Sequence, residues 1–372
     1  MGKKPKILVV GSLVMDLTVS TRRFPEPGET VLGSSFQSAP GGKGANQAIQ
    51  AARLGADVTM VGMVGGDAFG QTLLQSLKAA GVDASHVEIA PESSSAVGAI
   101  LLHPDGHGGI QNRIIVVPGA NACVTEKTLA FLEREISRYD FMMLQLEIPL
   151  EANRRAVELA RAAGVPVMLN PAPAAPLPED LLDGLTYLSP NEHEAAVIAG
   201  TEPVRTQVLP AARMTAEALA RRGVENVLVT LGGNGAALLR QGQFFHSPCV
   251  PVEKVLDPTA AGDSFIAAFS VAVCQGLDAA AALEFANCTA ALTVSRMGAQ
   301  PSLPSLNQVL LLLEQTGRSE LKREVEEKWW RSGTCGGRSV NMRWRSSTAF
   351  AARSWTGAWN PIRRNRIFRQ LP

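Results

Sequence analysis

The chain has 372 residues, 46% hydrophobic and 19% charged, enough to bury the core of one large α/β domain with or without an appendage. Its net charge of +1 hides an asymmetry, because residues 328–372 carry ten Lys/Arg and no Asp/Glu, leaving 25 basic against 34 acidic residues in 1–327, a net of −9. That body gives no electrostatic reason to bind nucleic acid, no run reaches the ~18 apolar residues of a membrane span, and five scattered cysteines without CxxC or zinc-ligand spacing point to a reducing, cytoplasmic setting.

The basic start and apolar run Ile7 to Val10 are interrupted by Gly11, Ser12 and Asp16 before they can form a signal-peptide core, so they read as a first β-strand. Apolar runs at 58–64, 97–102 and 114–117 alternate with turn-rich pieces, Phe24 to Gly28 and His103 to Gly106, which suit hairpins. Segments within about 12–40 and 95–117 are therefore expected to form a small β-rich lid. From residue 141, strand-like runs at Phe141 to Leu144, Val167 to Leu169, Tyr187-Leu188 and Val227 to Val229 alternate with helical stretches, the pattern of βαβ units around a mostly parallel sheet. Polar residues follow several of these runs: Gly11 to Asp16, Gln145 to Glu147, Asn170, Asn191 to Glu194 and Thr230 to Gly235. In an open parallel sheet such positions line the ligand-binding carboxyl edge.

Two motifs carry chemistry. Gly41-Gly42-Lys43-Gly44-Ala45-Asn46-Gln47-Ala48 opens a helix whose apolar face is Ala45, Ala48, Ile49 and Ala52, ending at Arg53-Leu54-Gly55. Its glycines allow close backbone contact with a ligand, and the Asn46 amide both donates and accepts, as a polyol requires. Asp257-Pro258-Thr259-Ala260-Ala261-Gly262-Asp263-Ser264-Phe265 precedes apolar positions at helical spacing, so Ala261 to Ser264 should open a second helix. Small residues at a helix start let bare amides and the helix dipole hold an anion, and a carboxylate there can take the proton of an attacking hydroxyl. Asp263 could instead merely cap its helix, but Ala260, Ala261, Gly262 and the first motif together weigh toward a base. The absence of GxxxxGK[ST], of GxGxxG after a strand and of an HRD sequence makes Walker NTPases, dinucleotide oxidoreductases and protein kinases poor candidates.

With GGKGANQA at 41–48 and DPTAAGDSF at 257–265, and with supporting segments at 170–174, 189–192, 230–235 and 298–302, the chain resembles the ribokinase family of carbohydrate kinases from about residue 6 to about residue 315. The resemblance implies a doubly wound, mostly parallel α/β sheet flanked by helices, a small β-rich lid, and ATP-dependent phosphorylation of a sugar, D-ribose first, at its primary hydroxyl. It implies sugar contacts at Val14, Met15, Asp16, Gly42, Lys43, Gly44, Ala45, Asn46 and Glu147, with Asp263 as base and residues Ala260 to Asp263 as anion hole. ATP is placed against Asn191, Thr230, Leu231, Gly232, Gly233, Asn234, Gly235, Gly262 and Asn287, with Asn191 and Glu194 organising the Mg2+ waters. A potassium site would use Asp257, Thr259, Thr293, Arg296, Gly298 and Ser302, and the lid implies a homodimer.

Two positions depart from the family pattern: Pro258 stands where Thr is common, removing a backbone donor beside the cation loop, and Ala260 where Gly is commoner. Deoxyribose, another sugar or a nucleoside are alternative acceptors, and a non-catalytic sugar- or nucleotide-binding protein is a further one. Only 5% aromatic residues, and no Trp before Trp329, speak against base stacking. The kinase body is expected to span 1–317. Residues 318–372, rich in Arg and Trp and without apolar periodicity, read as a disordered or non-native tail; an interaction segment is the alternative. His103 and His107 flank a turn rather than a metal-binding helix.

Overall fold

Alternation along the strands explains the layers. In β1 (Lys6–Val10), Ile7 and Val9 enter one core while Leu8 and Val10 enter another, so this strand is buried on both faces, as a central parallel strand must be. The computed structural model describes residues 4–104, 110–201 and 207–330. Along the chain β1 is followed by β2 (Val14–Thr21), β3 (Gly33–Gly41), β4 (Asp57–Gly65), β5 (Asp83–Ala90), β6 (Ala96–Pro104) and β7 (Ile110–Val117). Then come β8 (Phe141–Gln145), β9 (Val167–Asn170), β10 (Tyr187–Leu188), β11 (Asn226–Thr230), β12 (Ala236–Arg240) and β13 (Gln243–Ser247).

The main sheet has the order β13-β12-β11-β10-β9-β8-β1-β4-β5, parallel from β11 to β5 with β12 and β13 antiparallel at one edge. On one face pack the helices Lys43–Arg53, Ala261–Cys274, Ala279–Val294 and Leu306–Gln315; on the other pack Leu150–Ala163, Glu192–Ala199 and Val208–Ala220. Strands β3-β2-β6-β7 form a separate four-stranded sheet. The expected doubly wound sheet and β-rich lid are both present. Both lid hairpins exist as well: β2 pairs antiparallel with β3 and β6 with β7, although residues 105–109 of the second turn, including His107, lie outside the described residues.

Two features differ from expectation. The edge hairpin of β12 and β13 follows the Thr230 to Gly235 turn, where the sequence marks only the turn. More consequentially, the helix Ser319–Trp330 belongs to the body: Leu321, Val325 and Trp329, four residues apart, are 8%, 0% and 9% exposed and join the main core. The Trp329 indole donates to the Leu54 carbonyl at 2.7 Å, and its ring lies 5.5 Å from that of Phe285. The expected boundary at residue 317 is therefore corrected. One apolar residue per turn amid Glu, Lys and Arg is too thin a stripe to register as periodicity, yet it suffices for a helix packed on an existing surface. The rest of the expected tail, 331–372, lies outside the described residues. Trp329→Ala should cost about 3–5 kcal/mol of unfolding free energy in urea titration, and an unchanged midpoint would remove this helix from the body.

Candidate active site

The neighbours of β1 are β8 on one side and β4 on the other, so the strand order reverses at β1 and a crevice opens at its carboxyl end. Gly11 and Ser12 emerge there from β1, Gln145 to Glu147 from β8, Asn170 from β9, Ser189 to Asn191 from β10 and Thr230 from β11. The helices Lys43–Arg53 and Ala261–Cys274 both begin at this edge, and side chains join their first turns directly.

Asp263 is the third residue of its helix and 7% exposed. Its Oδ2 accepts from Asn46 Nδ2 at 2.9 Å and its Oδ1 from Gln47 Nε2 at 3.1 Å. It does not cap its helix: the N-cap is Ala260, with no side-chain cap bond. Ala260 has φ 60 and ψ 8, a left-handed conformation that explains why glycine is the easier residue here. The Ala261 amide turns to the Pro258 carbonyl at 3.2 Å, whereas no hydrogen bond among the described residues takes up the amides of Gly262 or Asp263. A Cβ placed on Gly262 meets nothing within 4 Å, so the space before these amides is open. The expected backbone hole thus narrows at Ala261.

The lid side is built around a second carboxylate. Asp16 on β2 sits between two glycines, for a Cβ at Gly41 would lie 2.3 Å from Oδ2 and one at Gly98 2.6 Å from Oδ1. Gly98 faces Asp16 across the parallel β2–β6 pair and is absent from the sequence expectations. Glu147 Oε2 accepts from the Lys43 amide at 3.0 Å and from the Ser12 hydroxyl, which itself accepts from the Gly44 amide at 3.2 Å. Gly42, at φ 90, passes so close to the chain after β1 that a Cβ would be 2.7 Å from the Val14 nitrogen. The glycine motif is thereby laid across residues 11–14. The side chains of Met15 and Ala45 are packed in the core, leaving only their backbones to the crevice. Asn46 Oδ1 is buried with no hydrogen-bond partner among the described residues, an acceptor free for a ligand hydroxyl.

The charges influence one another. Burial, then the negative charges of Glu147 and Asp263, push the Asp16 carboxyl up to about 7. Burial works against the Lys43 ammonium, but Asp263, Glu147 and Glu194 outweigh it and hold its pKa above the ordinary lysine value. Burial raises Glu194 despite the hydrogen bond from the Asn191 amide and the nearby Lys43 charge.

Further along the edge, Asn191 and Glu194 cap the helix Glu192–Ala199 reciprocally, each side chain accepting from the other's amide at 2.8 Å. Asn191 also bridges to Thr230. Thr230 to Gly235 form a tight turn closed by the Leu231 amide on the Gly235 carbonyl at 2.8 Å; Leu231 points into the core, and Gly232 and Gly233 face open space. Asn234 meets the His246 ring through its carbonyl at 2.9 Å. Asn287 spends its Nδ2 on Ser247 and Pro248, holding the end of β13. The proposed cation residues also gather. Asp257 accepts from the Thr259 amide at 2.9 Å and the Gly298 amide at 2.8 Å, and Arg296 reaches the Ser302 carbonyl at 3.5 Å. The hydroxyls of Thr293 and Ser302 donate to protein oxygens, Thr293 to Ser264 and Thr289 and Ser302 to Ala299. Among the described residues no three His, Cys, Asp or Glu side chains group as a metal site, and burial pushes Cys274 and Cys288 up to about 12, far from nucleophilic use.

Comparison with known proteins places this architecture. A model of the pfkB family carbohydrate kinases matches residues 4–306. The chain is 42% identical over 307 residues to the ribokinase of Bacillus subtilis, covering 82% of this chain and 99% of that one. It is 34% identical over 303 residues to the deoxyribokinase of Salmonella typhi, covering 81% and 96%. A solved structure of Arabidopsis thaliana ribokinase complexed with ribose and ATP superposes with a TM-score of 0.76 at 34% identity, over 84% of this chain and 99% of that one.

The raised Asp16 pKa has a thermodynamic consequence. Between about pH 4, where Asp ionises in the unfolded chain, and about pH 7, the folded state holds a proton that the unfolded state has lost, so this group's contribution to stability falls as pH rises through that window. Asp16→Asn should therefore melt a few degrees above the parent at pH 8 without ligand, the gap shrinking to roughly a third of that by pH 5. Equal melting at both pH values would mean that Asp16 carries no such strain.

Proposed function

The chain belongs to the pfkB family of carbohydrate kinases, and we propose that it transfers the γ-phosphoryl group of ATP to the primary hydroxyl of D-ribose, giving ribose 5-phosphate and ADP, with Asp263 as general base. The observation that carries this is the Asp263 carboxylate, held by Asn46 and Gln47 beside the free amides of Gly262 and Asp263. Asp16, Glu147 and the unpartnered Asn46 oxygen supply acceptors for sugar hydroxyls, and the negative charge of the carboxylates disfavours an acceptor that already bears phosphate. Asp263 takes the hydroxyl proton as the oxygen–phosphorus bond forms, the bond from γ-phosphorus to the bridging oxygen breaks, and the amides stabilise charge on the transferring group. Lys43, between both carboxylates and Glu194, adds the cation this charge requires.

ATP would lie along Asn191, the Thr230 to Gly235 turn and Gly262. Mg2+ fits the oxygen-rich edge at Asn191 and Glu194, where it would neutralise phosphate charge. Potassium fits the loops joined by Asp257 and Gly298, whose carbonyls would hold it next to the helix start and firm up the amides there. Ribose rather than a nucleoside is supported by the sugar side itself, since none of the side chains gathered there is aromatic. Deoxyribose is the second acceptor to weigh, because a relative is a deoxyribokinase. The free cysteines among the described residues suit a reducing cytoplasm, and no helix there is long and apolar enough to cross a membrane.

The lid exposes Phe36 at 64% and Ile115 at 67%, with Ile114, Val116 and Val117 also open, an apolar surface suited to pairing with the lid of a second copy. Phe36→Asp with Ile115→Asp should then sediment as monomer where the parent sediments as dimer, and a parent that is monomeric at micromolar concentration would contradict this. For the chemistry, a coupled assay should show Asp263→Asn reducing kcat by about 10^2- to 10^4-fold with ribose still bound. The parent should prefer ribose to deoxyribose, fructose and adenosine and respond to added potassium. Parental turnover in Asp263→Asn would remove the base, and adenosine turnover without ribose turnover would replace the acceptor.

A further inference from the structure

Behind the base lies a buried amide chain that the residues assigned so far leave unexplained. Gln47 and Gln145 are both 0% exposed. Asn170 donates through Nδ2 to the Ser189 carbonyl at 3.0 Å, which fixes its Oδ1 as the acceptor facing Gln47 at 3.4 Å. An ionised Asp263 also offers only acceptors, so Gln47 must present its NH2 group to both. Its Oε1 then points backward, where Gln145 Nε2 donates at 2.7 Å. Gln145 is fixed in turn: its Oε1 is seated against Gly11, where a Cβ would lie 1.9 Å away, and turning its amide over would set two oxygens against each other. That Oε1 has no hydrogen-bond partner among the described residues, so the orientation is kept at a cost that Gln145 alone does not recover.

We propose that Gln47, held in place by Gln145 and by the space that Gly11 leaves, is a positioning residue that orients the Asp263 carboxylate for proton abstraction. Asn46 and Gln47 are adjacent on one helix and grip opposite oxygens of Asp263, so the carboxylate plane is set by two neighbouring side chains. Asn46 keeps one oxygen without a partner among the described residues, whereas both ends of the Gln47 amide are engaged, so Gln47 acts through Asp263. Its hydrogen bond favours the ionised carboxylate, so its loss should be felt in the protonation of the base as well as in its aim. This inference rests on Asp263 being the base.

The test compares Gln47→Met, Gln145→Met and the double variant with the parent, measuring kcat, KM for ribose, the pH profile of kcat and the melting temperature. Gln47→Met should lower kcat about tenfold or more, keep KM within about twofold, and move the acid limb of kcat up by roughly half to one pH unit. Gln145→Met should act in the same direction but less, and the double variant should be no worse than Gln47→Met alone, because the two act as one chain. Folded variants with the parental kcat and acid limb, or a loss confined to KM, would overturn the proposal. If Gln47→Met does not fold, Gln145→Met decides, and a parental acid limb there is likewise fatal. Asp263→Asn serves as control: an inactive Asp263→Asn beside unaffected glutamine variants rejects only the positioning role, whereas an active one rejects the base.

Discussion

A carboxylate at the start of one helix, gripped by amides from the first turn of another, is the contact on which the rest of this site depends. Asp263 and Asn46 are 217 residues apart in sequence and 2.9 Å apart in space. An ionised carboxylate that is 7% exposed would be costly without compensation; here two side-chain amides and the positive end of its own helix supply it. The reversal of strand order at β1 is what brings both helix starts to one crevice, and the glycines at 11, 41, 42, 44 and 98 are what let backbone and carboxylates approach so closely there.

Electrostatics then divides the crevice into two ends. Two carboxylates, Asp16 and Glu147, stand at the lid end, and Asp16 is driven toward neutrality by burial and by the negative charges of Glu147 and Asp263. Such an end suits an uncharged polyol, whose hydroxyls can donate to every oxygen. The opposite end, with bare amides and the open Thr230 to Gly235 turn, suits an anion. Lys43 lies where the two ends meet, its charge held by acids on both sides. Ala260, at the start of the helix that carries Asp263, adopts a left-handed conformation, a strain of the sort that binding sites retain when geometry demands it.

Much of this was legible in the sequence because small residues and polar strand ends are local signals. The glycine motif, the helix opening at Ala261 and the polar positions after β1, β8, β9, β10 and β11 all stand in short windows, and each predicts its element. What escaped depends on distant partners. Gly98 matters only because β6 lies beside Asp16, and Ser12 only because Glu147 and Gly44 converge on it. Gln47 and Gln145 look like any polar residues until Asn170 and Asp263 fix which end of each amide faces which neighbour. Trp329 was hidden differently: the charges around it obscured a stripe of three residues, and its value comes from a surface formed some 270 residues earlier, at Leu54.

The most direct test of the account is a crystal structure of the protein with ribose and a non-hydrolysable ATP analogue. The ribose primary hydroxyl should lie about 3 Å from an Asp263 oxygen, with the γ-phosphate against the amides of Gly262 and Asp263. A ribose that turns another hydroxyl to Asp263, or a triphosphate whose terminal group sits away from those amides, would contradict it.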